Sequence, residues 1–193
     1  MSQGFVNAQN IALPLAVAEG GTGQTSSTGS GAVVLATSPT ITTPGIVGVT
    51  DAGNATTGHV GEYLETILLV GSAVSLTSLA AANVTSLALT AGDWDIWGTV
   101  WYDAAGTTVA SSFAGAINTV SATFPTVPAA GTSYQCWYFS PIAQASAGVE
   151  AGVVVSPARV TISGTTTYYL IARSGFGTST LTAYGKICAR RVR

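Results

Sequence analysis

Residues 93–103, with the sequence DWDIWGTVWYD, decide the fold class of this chain. Side chains of a β-strand point alternately to the two faces of its sheet. One face of this strand is almost entirely apolar, and we expect it to form the core; it carries Trp94, Ile96, Gly98, Val100 and Tyr102. The opposite face mixes acids with two tryptophans; it carries Asp93, Asp95, Trp97, Thr99, Trp101 and Asp103.

The two tryptophans of the mixed face need a partner, and three interpretations stay open. A subunit interface is one, because tryptophan and tyrosine are enriched where proteins meet. A glycan site is another, in which a sugar stacks on an indole ring beside a carboxylate. The third is the ordinary core of a sheet that is covered on both sides. The candidate binding or interface residues, chosen by type and by face, are Trp97, Trp101, Asp95 and Tyr102.

Short alternating segments surround this strand and are separated by glycine-containing turns. Their spacing of about 8–12 residues is typical of an antiparallel β-sandwich or jelly roll. We therefore predict an all-β domain over residues 59–193. The other strands are expected at Gly61–Val70, Val84–Thr90, Val109–Asn118, Ser133–Ser140, Val149–Val155, Arg159–Ser163, Thr167–Arg173 and Thr180–Val192. In the second of these segments, alternation places Val84 on the face opposite Leu87 and Leu89.

Residues 1–58 differ in composition from the rest of the chain. Phe5 is their only aromatic residue, and breakers such as Gly20–Gly23 and Thr43–Gly45 separate apolar pieces about one strand long. None of these pieces could bury a core alone, and exposed apolar strands favour aggregation. We therefore expect an extended attachment or stalk segment that winds with copies of itself or lies on another protein.

Composition excludes several classes of protein. Only 7% of the 193 residues are charged and the formal net charge is −2, which argues against nucleic-acid binding through a basic face. The apolar runs are much shorter than the roughly 20 residues of a spanning helix, so we expect no membrane insertion and no secretion signal.

The acids all lie at or before Glu150 and the bases all lie at or after Arg159. If these two parts share a sheet, opposite charges can meet across its strands; a solvated basic C-terminus is the simpler alternative.

The sequence offers no catalytic or metal-binding motif, and we predict a protein without enzymatic activity or cofactor. Asp93 and Asp95 have the strand spacing of a glycosidase pair, but a catalytic acid also needs a cleft that raises its pKa. His59 is the only histidine and is expected in a turn or at an interface. Cys136 and Cys188 are interpreted as small buried apolar residues, with a disulfide possible only if they face each other.

Two groups of motifs resemble tailed-bacteriophage fibre proteins. The N-terminal group is Glu19–Ser26, EGGTGQTS, followed by Gly31–Pro44, and it is similar to the stalk and linker segments of tail fibres. The C-terminal group is similar to the distal domains of such fibres; it comprises Leu89–Asp95, Thr119–Thr123, Tyr168–Ala172 and Leu181–Arg193. Neither group contains a catalytic motif.

This resemblance implies a homotrimeric virion fibre that is assembled in the bacterial cytoplasm. Residues 1–58 would contact other virion proteins, and a trimeric β-rich knob would recognise a bacterial surface glycan or protein. The chain has no long repetitive shaft, so a short tail-tip fibre, a head fibre or a capsid decoration protein fits equally well. A polysaccharide depolymerase is the enzymatic alternative, which the few acids and the short length argue against.

Overall fold

The structure, a computed structural model, describes residues 53–125, 134–138 and 150–193, with 134–138 and 150 by their backbone alone. Residues 1–52 lie outside this range. The expected attachment segment and its boundary at residue 58 therefore stay predictions. The described residues form nine β-strands: β1 (Tyr63–Leu68), β2 (Val74–Ser75), β3 (Ala81–Leu89), β4 (Gly92–Ala104), β5 (Val109–Asn118), β6 (Tyr134–Tyr138), β7 (Glu150–Ile162), β8 (Thr166–Gly177) and β9 (Leu181–Arg191). A single 3-10 turn, Val70–Ser72, separates β1 from β2.

The strands form two antiparallel sheets. The first sheet has the order β1-β9-β4-β7, and the short strand β2 also pairs with β9. The second sheet has the order β3-β8-β5-β6. Apart from the short strand β2, each sheet has four strands, and this alternation of strands between two sheets is that of a jelly roll. The expected all-β antiparallel sandwich is therefore confirmed, while the trimer stays a prediction.

The core lies between the two sheets and includes the apolar face of β4. Trp94, Ile96, Val100 and Tyr102 have no exposed surface. Gly98 shares their face, and a Cβ atom there would lie 2.9 Å from Leu170 Cδ1. Large apolar side chains each contribute about 1.5–3 kcal/mol when fully buried, so this strand carries much of the stability of the sandwich.

Two β-bulges change what alternation predicted. The expected strands Val149–Val155 and Arg159–Ser163 form one strand, β7, because one extra residue between Val155 and Ala158 interrupts its pairing with β4 without ending it. Pro157 lies at this bulge, where its missing N–H is tolerated. A second bulge on β3 turns Val84 into the core beside Leu87 and Leu89, so its predicted placement on the opposite face was wrong.

The early acids do meet the late bases. Asp93 on β4 forms ion pairs with Arg159 of β7, at 3.1 Å, and with Arg193. Glu62 forms an ion pair with Arg191 of β9 at 2.9 Å. Each pair joins distant parts of the chain within or beside the first sheet. The separation of charge along the sequence therefore supports the pairing of its strands.

Candidate functional site

The candidate residues lie on the outer face of the first sheet, which is the face turned away from the second sheet. Asp95, Trp97 and Trp101 all project from β4 to this face. Strands rise about 3.3 Å per residue, so Asp95 and Trp101 are about 20 Å apart. They therefore occupy opposite ends of the face. On this face Asp95 lies about 7 Å from Trp97 along the strand, and Asp103 has the same spacing from Trp101.

Asp95 lies at the charged end of this face. The register places it between Arg190 of β9 and Arg159 of β7. Its neighbour Asp93 is buried and accepts hydrogen bonds from Thr161, Arg159 and Arg193. These bonds, that of Thr161 first, lower the pKa of Asp93 from 3.8 to about 2. This end of the face is therefore built from paired charges.

Trp97 lies in the middle of the face and is half-buried beneath a neighbouring aromatic ring. Its ring centroid is 6.1 Å from that of Tyr63 on β1, with the rings tilted by 41°. The Tyr63 hydroxyl donates a 2.8 Å hydrogen bond to Glu65. Hydrogen bonding with the buried thiol of Cys188, partial desolvation and the bond to Glu65 raise the pKa of Tyr63 above its usual range. Trp97 thus has a partner within its own sheet.

Trp101 has a different environment, because its indole lies across Gly152 of β7. A Cβ atom at Gly152 would lie 3.1–3.3 Å from three carbons of the six-membered indole ring. Glycine therefore leaves the space that the ring fills. The side chain remains 41% exposed. Of the two candidate tryptophans, Trp97 and Trp101, Trp101 is therefore the one with the more accessible indole.

A groove of about 790 Å³ opens beside Trp101. We call it the Trp101 groove; its lining includes Ile67, Leu69, Val70, Thr99, Tyr184 and Lys186. This volume is within the roughly 300–1,000 Å³ of small-ligand sites. The three aliphatic side chains are each more than half exposed. The face thus presents apolar surface to solvent next to an indole.

One wall of the Trp101 groove is a detour of the edge strand. β1 pairs with β9 as far as Leu68 opposite Gly185, and β2 resumes the pairing at Val74 opposite Ala183. The five residues between them leave the sheet through the 3-10 turn Val70–Ser72. The sequence predicts a strand that continues through the run Ile67–Val70. The glycine and serine that follow this run were the available signal for the detour.

Tyr102 is placed in the core, as its face on β4 predicted, and it is not accessible to a ligand. Its hydroxyl donates a 2.6 Å hydrogen bond to the Ala114 carbonyl and accepts one from the Arg173 amide at 3.2 Å. Burial raises the pKa of Tyr102 above its usual range. Its inclusion among the candidate binding residues by type therefore has no structural support.

The remaining chemistry-bearing residues that were singled out occupy structural positions. His59 lies in a turn, where its amide donates a 2.9 Å hydrogen bond to the Thr56 carbonyl. Cys188 is buried and free, and the side chain of Cys136 lies outside the described part of the structure. The described residues include no group of three or more potential metal ligands. They also include no helix that is both long enough and apolar enough to span a bilayer.

Comparisons with known proteins assign no function. No protein-family model matches the chain, and no curated protein is similar to it. One similar chain is found in the solved structure of infectious bursal disease virus, Gx strain, with a TM-score of 0.36 and 11% sequence identity. The similarity covers 67% of this chain and 30% of the viral chain.

Proposed function

We propose that this chain is a non-enzymatic virion fibre protein whose jelly roll, the knob, binds a glycan on a bacterial surface. In this proposal residues 1–58 attach the knob to the particle and the assembled protein is a homotrimer. The observation that carries the proposal is the Trp101 groove, where an accessible indole borders a concave surface on the outer face of the first sheet.

The groove has the chemistry that a sugar requires. The C–H face of a sugar ring packs on the electron-rich face of an indole, while its hydroxyl groups need hydrogen-bonding partners at the rim. The hydroxyl groups of Thr99, Ser72 and Tyr184 belong to residues of the lining. A single open site of this kind binds weakly, and three linked copies would raise the avidity of the particle.

The acids of the first sheet favour binding over hydrolysis. A glycosidase needs a carboxylic acid whose pKa is raised so that it can donate a proton near neutral pH. The pKa of Asp93 is shifted the other way, to about 2, by its bonds to Thr161 and two arginines. Its neighbour Asp95 lies about 20 Å from Trp101 by strand rise. A depolymerase centred on this aspartate pair is therefore disfavoured.

A purely structural head fibre or capsid decoration protein is the second candidate. It is favoured by the exposure of several large apolar side chains around the groove: Ile67 51%, Leu69 69%, Val70 52% and Val154 59%. Exposed apolar residues grouped in this way also suit an interface between subunits. The same surface would then be covered by a second copy or by another virion protein.

Adsorption to cells tests the proposal. The native mass of the purified, fluorescently labelled protein is measured first, to establish its oligomeric state. Its saturable binding to a panel of bacterial strains is then compared with that of Trp101→Ala. Val109→Ala is the matched control, because Val109 is 42% exposed and lies on the second sheet. We expect Trp101→Ala alone to lose adsorption while keeping the native mass. Loss of the oligomer in Trp101→Ala would instead identify the groove as a subunit interface.

A further inference from the structure

The Trp101 groove contains one charged side chain, that of Lys186. We propose that the ligand of this groove is an acidic sugar, whose ring packs on Trp101 and whose carboxylate binds the Lys186 ammonium group. This inference rests on the proposed glycan-binding function and adds to it the chemical class of the ligand. Lys186 is also the only lysine in the chain. The other basic residues are arginines, all of which the structure describes, and none of them lines the groove.

The charge of Lys186 is available to a ligand. Three arginines form ion pairs: Arg159 and Arg193 bind Asp93, and Arg191 binds Glu62. Within the described ranges, no carboxylate lies at ion-pair distance from the Lys186 ammonium group. The side chain is exposed. An anion in the groove would therefore meet a cation that no described carboxylate neutralises.

The register of the sheet sets the separation between this cation and the indole. Lys186 lies opposite Thr99, and Trp101 is two residues further along β4. Lys186 and Trp101 are thus diagonal neighbours on one face, with backbones about 7–8 Å apart, a distance that long and aromatic side chains bridge. A single sugar ring and its carboxylate can span this distance. Strand pairing therefore holds the backbones of Lys186 and Trp101 at a fixed spacing.

The surroundings favour one carboxylate over a polyanion. Nucleic acids are bound by many lysines and arginines along the phosphate backbone. The Trp101 groove has a single cation, and contact with the aliphatic wall formed by Ile67, Leu69 and Val70 would remove water from a densely charged chain at a cost in free energy. An acidic sugar suits both the aliphatic wall and the single cation, because its ring offers C–H surface to the apolar groups and its carboxylate offers one charge.

A paired glycan array tests the assignment. The array carries oligosaccharides containing uronic or sialic acids beside the same oligosaccharides with their carboxylates reduced to alcohols. The protein and its variants are applied at low and at high salt. Lys186→Gln removes the charge, and Arg190→Gln is the matched control, since Arg190 is exposed on the same face of β9 four residues away. Circular dichroism verifies that each variant is folded.

We expect the unmodified protein to prefer an acidic oligosaccharide over its reduced partner by about tenfold, as a charge-assisted hydrogen bond provides. Lys186→Gln should lose this preference, and Arg190→Gln should keep it. High salt should weaken the preference, because the site is open to solvent.

The outcomes separate this inference from the proposed function. Equal binding of reduced and acidic partners, or an unchanged preference in Lys186→Gln, overturns the acidic sugar while the glycan-binding function stands. Binding to no oligosaccharide by the folded, assembled protein overturns both.

Discussion

Replacing Glu62 should cost more stability than replacing any exposed acid of this chain. Glu62 and Arg191 are 3% and 4% exposed, and their 2.9 Å ion pair is buried at one end of the sandwich. Glu62 Oε2 also accepts a 2.8 Å hydrogen bond from the Gly58 amide. The Arg191 guanidinium donates to the Ala91 carbonyl at 2.7 Å and lies 4.2 Å from the ring centroid of Trp94.

The magnitude follows from what the replacement leaves behind. In Glu62→Ala the guanidinium stays buried with the Ala91 carbonyl, the Thr90 hydroxyl, which it meets at 2.6 Å, and the Trp94 indole, but it loses its counter-charge. Breaking a buried pair by removing one partner costs about 3–5 kcal/mol, because the remaining charge is uncompensated. For a chain of this length each kcal/mol lowers Tm by about 2–4 °C. We therefore expect Tm to fall by at least about 6 °C.

Urea unfolding at fixed protein concentration measures this change. The midpoint should fall while the slope stays constant, since the surface exposed on unfolding is the same. Glu65→Ala is the control, because Glu65 lies three residues away on β1 and is exposed. It should cost under about 1 kcal/mol. A loss in Glu62→Ala no larger than that of the control would refute the argument from burial.

Three further predictions concern single residues. The pKa of Asp93 is about 2 in the folded protein, below the ordinary 3.8, so its contribution to stability is complete above that ordinary value and is lost as the pH falls towards 2. Urea midpoints should show a smaller acid dependence in Asp93→Asn. Tyr102→Phe leaves the Ala114 carbonyl without its donor and should cost about 1–3 kcal/mol in urea unfolding with an unchanged fold by circular dichroism. Gly185→Ala should prevent normal folding, seen as loss of soluble native protein, because its φ is +150° and a Cβ atom would lie 2.0 Å from the Thr99 carbonyl oxygen.

The alternation of apolar and polar residues predicted the fold correctly where the face of a residue depends only on its position in its own strand. The alternation in β4 identified the core face, and Trp94, Ile96 and Val100 are all buried there. It placed Val84 on the wrong face and divided β7 into two strands around Pro157, because at each of these positions a bulge inserts one residue and interrupts the alternation. Such a bulge depends on the partner strand, which alternation within one segment does not describe.

The candidate site was only partly predictable for the same reason. Trp101 was proposed from its face and type, whereas Ile67, Tyr184 and Lys186 were not associated with it. These residues come from β1, β4 and β9, which lie far apart in the chain and become neighbours through antiparallel pairing. Asp95 and Trp97 share a strand with Trp101, yet strand rise separates them from the groove.

The sequence by itself determined the all-β class, the core face of its central strand and the separation of the acids from the bases along the chain. These properties follow from side-chain period and composition, which are local. Only the tertiary structure decided which tryptophan is accessible and what surrounds it. The reason is that β4 and β9 pair in a register that brings Lys186 beside Trp101, and that the edge strand leaves the sheet after Leu68 and rejoins it at Val74, which adds an aliphatic wall.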